Sequence, residues 1–144
     1  MEKMISAEIE TKVGFYDVDS MDITWHGNYI KFLEDARCAL LDKLDYDYNR
    51  MKESGYGWPV VSLNIKYIKP SRFKQVIKIK ATLIEYYNCI KIQYLITDAE
   101  SGEKISKAET MQMAVDMNTM ESCFRSPQEL IDKVENYLNG NKNA

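Results

Sequence analysis

Along this chain the spacing of hydrophobic and polar residues changes period several times. Between Ile5 and Phe15 it is two: Ile5, Ala7, Ile9, Val13 and Phe15 fall on one side, and Ser6, Glu8, Glu10 and Lys12 on the other, the repeat of a half-buried strand. From Tyr29 the repeat is helical. Tyr29, Leu33, Ala36, Leu40 and Leu44 form one stripe, and Ile30, Phe32, Ala39 and Leu41 widen it beyond the face of an ordinary surface helix, so this helix needs burial on several sides. A polar, glycine-containing connection follows over 46–58. Alternation then returns in three runs: Val61, Leu63, Ile65 and Tyr67; Ile77, Ile79, Ala81 and Leu83; Ile90, Ile92, Tyr94 and Ile96. Pro70-Ser71 and the stretch from Asp98 to Gly102 supply turns between strands. A last strand, around Ile105 to Met117, sets Met111, Met113, Val115 and Met117 on one side, where flexible thioethers suit either core filling or an irregular wall. Ser126-Pro127-Gln128-Glu129 has the spacing of a capping box with proline at the first helical position, which predicts a short peripheral helix to about Leu138 with Gly140 past its end. Asn141 to Ala144 reads as a frayed polar tail.

The order is strand, long helix, four strands, short helix, which is an α+β arrangement with an antiparallel sheet wrapped around one helix. Such a sheet leaves edges and an outer face needing cover, so a homodimer or homotetramer is expected. A length of 144 residues suits a single domain, 1–144, with one core. The 19 Lys and Arg against 22 Asp and Glu give a net charge of -3, and with no nucleic-acid-binding motif a nucleic-acid partner is not expected. Three cysteines, odd in number and widely spaced, suggest reduced thiols rather than a disulfide framework or a zinc site. No segment has the pattern of a secretion signal or a membrane span, so a soluble, cytoplasmic protein without a membrane partner is expected.

The densest chemistry lies just ahead of the long helix. Asp17, Asp19 and Asp22 place three carboxylates in six residues, and Trp25-His26-Gly27-Asn28 follows with the only histidine of the chain. The first turn of a helix carries unpaired N–H groups and the positive end of the helix dipole, which can stabilise a developing oxyanion while a neighbouring carboxylate attacks an acyl carbon or activates water. On residue chemistry alone a second reading stands beside this one, in which the acids are helix caps and the histidine a structural hydrogen bonder. An EF-hand is excluded, because Asp22 occupies its glycine position and Asn28 its final glutamate. Nucleotide-binding and serine-hydrolase glycine motifs are missing, and one histidine cannot build a histidine-rich metal centre. Cys38 reads as a small packed thiol, and Glu34 and Arg37 as an ion pair on the helix.

The spaced residues Asp17-x-Asp19-x-x-Asp22-x-x-Trp25-His26-x-Asn28-Tyr29-x-x-Phe32-x-Glu34-x-Ala36-Arg37, with Tyr67-x-x-Pro70-Ser-Arg72 downstream, resemble the signature of hot-dog-fold acyl-CoA thioesterases. The nearest likeness is to the 4-hydroxybenzoyl-CoA thioesterase-like group, in its Tol-Pal-associated branch. The resemblance implies hydrolysis of an acyl-CoA to a free acid and CoA, with coenzyme A as part of the substrate and no other cofactor. It implies Asp19 as the catalytic carboxylate, acting as nucleophile or general base, and His26 as its companion at the helix start, with Asp22 and Gly27 beside the substrate. Two positions depart from the pattern: Asp22 stands where the family has glycine, and Phe15 where the branch has a tyrosine. Given such a substrate, Lys69, Arg72 and Lys74 can meet the phosphates of the coenzyme, or form only a solvated basic edge that discourages strand aggregation. Kept beside this reading are a non-catalytic acyl-CoA-binding protein and an acyl-carrier-protein thioesterase.

Overall fold

The computed structural model describes residues 4–140. Along them run β1 (Ile5–Lys12), α1 (Tyr29–Lys43), α2 (Tyr48–Glu53), β2 (Tyr56–Gly57), β3 (Val60–Tyr67), β4 (Val76–Glu85), β5 (Ile90–Asp98), β6 (Lys104–Gln112), β7 (Val115–Asp116) and α3 (Gln128–Gly140). Five strands make one antiparallel sheet in the order β1-β4-β5-β6-β3, and β2 pairs with β7 separately. The alternating residues do what their period demands. Ile77, Ile79, Ala81 and Leu83 of β4, with Ile90, Ile92, Tyr94 and Ile96 of β5, are buried on the inner face, where α1 crosses against β1 and β4. Tyr29, Phe32, Leu33, Ala36, Leu40 and Leu41 of α1 are buried there as well, and cutting a residue such as Leu40 back to alanine belongs to a class of change costing about 2–5 kcal/mol. This is the hot-dog arrangement of a long helix held in an antiparallel sheet.

Several expectations change on contact with the structure. The first strand ends at Lys12, and Phe15–Asp17 is a turn of 3-10 helix, with Phe15 exposed rather than facing the core. The cause is local: the Gly14 N–H is bonded by the Asp17 carboxylate at 2.8 Å, which draws the backbone away from ladder geometry. Ile30 is exposed too, so the buried stripe of α1 is narrower than its sequence indicates. The connection over 46–58 holds α2 and β2; Asp47 caps α2 by accepting from the Arg50 N–H at 2.9 Å, and the fully buried Tyr46 accepts from Trp58 Nε1 at 3.1 Å. Strand β6 stops at Gln112. Met111 pairs in register with Lys91 and Ser62 and so lies on the outer face, while Ala108, Thr110 and Gln112 face inward; the row of methionines is not an inner wall.

The final helix is less peripheral than expected, because Leu130, Ile131 and Val134 are buried. Its capping box is not closed: Ser126 Oγ is buried without a partner, and the Leu130 N–H reaches the Pro127 carbonyl at 3.1 Å instead. Gly140 is the last helical residue, and the tail 141–144 lies outside the described residues. Cys38 is exposed rather than packed, although Glu34 and Arg37 do pair, at 3.3 Å. Cys89 is buried, and burial together with the bond from its thiol to Glu85 pushes its pKa up to about 12. Since the thiolate is the reactive form, alkylation at pH 8 is expected to modify the exposed Cys38, whose own pKa desolvation also raises, well before Cys89, which it reaches only on unfolding. An intact-mass time course with peptide mapping checks this, and a first adduct on Cys89 would contradict it.

Candidate active site

Residues 13–28 connect β1 to α1 and hold most of the candidate chemistry. The loop is shaped by Asp17, which is buried. One of its carboxylate oxygens accepts from the Gly14 N–H, and the other is ion-paired with Lys31 of α1. Its backbone carbonyl accepts from the Trp25 N–H at 2.9 Å and from Asn28 Nδ2 at 2.8 Å. A second fastening ties the loop and the start of α1 to a segment more than forty residues on: Ser71 Oγ lies 2.6 Å from Thr24 Oγ1 and 2.9 Å from the Tyr29 hydroxyl, and the Ser71 carbonyl accepts from the Thr24 N–H at 2.8 Å. All three side chains are buried, where a lost partner leaves an unsatisfied group costing about 1–3 kcal/mol. Sequence reading did not pick out Asp17, Thr24 or Ser71 as anchors; only the spacing of Asp17 ahead of the helix carried a hint.

Asp19 stands at the exposed tip of this framework. Its N–H donates to the Ile23 carbonyl at 2.9 Å, and its Oδ1 accepts from the Met21 N–H at 2.8 Å and the Ile23 N–H at 3.4 Å. The turn fixes one carboxylate oxygen and leaves Oδ2 without a partner among the described residues. Across the base of the turn Val18 bridges Thr24, which brings the chain back toward His26. That residue opens a turn of 3-10 helix, His26–Asn28, leading into α1. Its ring contacts those of Trp25 and Tyr67, with centroids 5.0 and 6.2 Å away, and its carbonyl accepts from the Tyr67 hydroxyl at 3.0 Å. The N–H groups of His26 and Gly27, first in the turn, have no partner among the described residues. A Cβ at Gly27 would lie 2.1 Å from Trp25 Cζ3, so a side chain there would displace the exposed Trp25 ring from its place beside His26.

Asp22 has a positive φ of 60°, a region where glycine is free of strain and aspartate is tolerated. The backbone alone therefore gives a reason for the glycine that the resemblance implies here. Asp22→Gly is therefore expected to change stability by no more than about 1 kcal/mol, relief of strain being offset by a more flexible unfolded chain, and to retain turnover. Denaturant melts and thiol-release rates check this; a large loss of rate in a folded variant would make Asp22 a working carboxylate.

The basic turn is only partly available. Lys69 is ion-paired with Glu103, and Lys74 lies over the Phe73 ring at 5.4 Å, whereas the Arg72 guanidinium has no ion-pair partner among the described residues. A small cavity of about 250 Å³ there is lined by Lys69 and Arg72 but also by Asp98 and Glu103. A larger one, about 810 Å³, opens along the flank of α1 between Arg37, Cys38, Leu41, Trp58 and Met117, a volume in the range of small-molecule sites. Asp19 and His26 do not line it within one copy. Among the described residues no cluster of three metal-ligating side chains occurs.

A hot-dog fold with an anchored acidic loop at the start of its helix defines a class, and the comparisons place the chain within it. Residues 13–134 match the Thioesterase-like superfamily, and the chain belongs to that family. YneP of Bacillus subtilis, whose name assigns it provisionally as an acyl-CoA thioesterase, is 34% identical over 108 residues, covering 74% of this chain and 78% of that protein. Among solved structures, a DHNA-CoA thioesterase from Staphylococcus aureus superposes with a TM-score of 0.76 at 26% identity, over 96% of this chain and 95% of the other. Slr0204 from Synechocystis, a 1,4-dihydroxy-2-naphthoyl-CoA thioesterase, gives 0.80 over 90% and 95% of the two chains, and at 16% identity it speaks for the fold alone.

Proposed function

We propose that Asp19 is the reacting carboxylate of an acyl-CoA thioesterase and that His26 and Gly27 complete its site. The protein hydrolyses a CoA thioester, releasing a carboxylic acid and free CoA, in keeping with its family and its relatives. The observation that carries the assignment of Asp19 is its half-bound carboxylate: Oδ1 is fixed by two loop amides, and Oδ2 has no partner among the described residues. A carboxylate so placed can attack the thioester carbonyl, expelling CoA thiolate and leaving an acyl anhydride for water to cleave. It can equally take a proton from an attacking water. In either course negative charge builds on the acyl oxygen, and the unpartnered N–H groups of His26 and Gly27 are suited to receive it. Thiol release from a panel of acyl-CoAs tests the reading. Tight acyl-CoA binding with no thiol released from CoA or acyl-carrier thioesters would favour the non-catalytic alternative.

Residues Asp19 and His26 also favour the Tol-Pal-associated branch of the 4-hydroxybenzoyl-CoA thioesterase-like group, with Phe15 and Asp22 as departures from it, and a cytoplasmic setting accords with the three free cysteines. None of the described helices is long and apolar enough to cross a membrane. For the coenzyme, Arg72 is the better candidate of the basic turn, since Lys69 already has Glu103. Arg72→Glu is expected to raise KM for acyl-CoA severalfold with little change in kcat, because a phosphate contact holds ground and transition states alike. Steady-state kinetics at two salt concentrations measure this; unchanged kinetics would return the turn to a solvated edge.

The assembly we favour is a homodimer through β3, which can pair further into a tetramer. Strand β3 ends the sheet with one side unpaired, and Val60, Val61, Leu63 and Tyr67 are substantially exposed. The other edge, β1, carries Glu8, Glu10 and Lys12, the kind of charges that blunt an edge, whereas β3 carries only Lys66. Antiparallel pairing of two β3 strands sets the Tyr67 end of one copy against the Val60 end of the other. Tyr67 touches His26, and Trp58, just before Val60, lines the large cavity. Self-pairing would thus bring the reacting loop of one copy toward the acyl-sized cavity of its partner.

A further inference from the structure

The outer face of the sheet, turned away from α1, carries an arrangement of charge that the thioesterase reading does not use. In register across four strands run Lys80, Leu95, Lys107 and Lys66, so that Lys107 and Lys66 stand directly opposite one another. Like charges in that position are destabilising. Lys104 lies on the same groove, and none of these four lysines has an ion pair among the described residues, in a chain whose acids outnumber its bases. Carboxylates are within reach of the neighbourhood. Glu8 is opposite Lys80 in register, yet it pairs with Lys78, as does Glu10; Glu109 lies in the groove itself, opposite Gln93 and Asn64. The four lysines and Glu109 leave the groove clearly positive.

We infer that this groove on the outer sheet face is a binding site for a small ligand carrying a chain of phosphates, separate from the thioester site. Three features select that ligand. The groove has a volume of about 610 Å³, ligand-sized and shallow, and between the lysines it is lined by Asn64, Thr82 and Gln93, neutral groups that can bond a sugar or base. Lys80 and Lys107 are two strand spacings apart, about 10 Å, farther than one phosphate can bridge and within the reach of several in line. The basic row is also bounded, by Glu8 and Glu10 beyond Lys80 and by Glu109 within, which suits a compact anion better than the long track of a nucleic-acid strand. A phosphate chain would relieve the repulsion between Lys66 and Lys107 by charge-assisted hydrogen bonds to both.

Calorimetric titration of the full chain with inorganic phosphate, tripolyphosphate and ATP at low and physiological salt tests this. Tripolyphosphate is expected to bind at least tenfold more tightly than phosphate, with an affinity that falls steeply with salt. ATP binding more tightly than tripolyphosphate identifies a nucleotide as the source of the phosphates, and equal affinity identifies the chain alone. Lys107→Gln, and separately Lys80→Gln, should weaken the interaction at least tenfold and leave acyl-CoA kinetics unchanged. Both positions are exposed, so folding is not at issue, and thermal melts confirm it. The inference is overturned if tripolyphosphate and ATP fail to bind at low salt, or if both variants bind as the parent does. It is equally overturned if the variants raise KM for acyl-CoA, which makes the groove part of the substrate site, or if a single-stranded oligonucleotide binds far more tightly through the same lysines.

Discussion

Asp19→Asn is expected to cut thiol release from acyl-CoA by about 1,000-fold or more while leaving the fold intact. The substitution is nearly isosteric and keeps an oxygen to accept from Met21 and Ile23, so the turn 2.8 Å across its tightest bond can persist. What it removes is the charge and basicity of Oδ2. A neutral amide neither attacks a thioester nor accepts a proton from water, and positioned proton transfer by itself is worth about 100- to 10,000-fold. If Asp19 acts as nucleophile, the loss is deeper and no acyl-enzyme forms. Rapid-quench and steady-state thiol assays, with a thermal melt to confirm folding, make the measurement. Wild-type rates in the folded variant would remove Asp19 from the chemistry and leave it as a turn residue. Asp17 is the informative contrast: its replacement by Asn should act through stability and loop geometry, since both its oxygens are already engaged by Gly14 and Lys31.

The second large effect concerns the free edge. Val61→Arg combined with Leu63→Arg is expected to weaken self-association by about 2–4 kcal/mol, the scale of an interface hot spot, with little change in the stability of one copy. Both side chains are at least two-fifths exposed in a single chain, so charging them costs the monomer little. In a β3 pairing they would bring four like charges to the seam. Light scattering at micromolar concentration should show a dimer or larger species for the parent and a monomer for the variant, and activity should fall with the assembly. A parent that is monomeric and fully active would overturn both the β3 interface and a cavity shared between copies.

Much of this molecule is written in its periods. The alternation in β4 and β5 and the stripe of α1 follow from burial on one face, which sequence reports directly, whereas the same alternation in β3 falls on side chains that stay largely exposed in a single copy. Where the pattern misled, a local or distant bond had overridden it. Phe15 continues the alternation of β1 in sequence, yet the Asp17 side chain captures Gly14 and ends the strand. The methionines of β6 and after kept an apparent period across Gln112, where the strand stops, and Met111 faces outward. Ile30 fits the helical stripe and is nevertheless exposed. At the site, the motif singled out Asp19 and His26, while the triple contact of Thr24, Ser71 and Tyr29 joins residues more than forty positions apart, a relation no short-range spacing encodes. The pairing of Lys69 with Glu103 was hidden for the same reason.

The hydroxyl of Tyr67, bonded to the His26 carbonyl, belongs to the outermost strand of the sheet. Two things that usually stand apart, the rim of a molecule and the residue at its reacting loop, are here one hydrogen bond from each other. If β3 is the seam proposed above, the contact between copies and the turn presenting the His26 and Gly27 amides share this one bond, so a change at the seam has a direct route to the reacting loop.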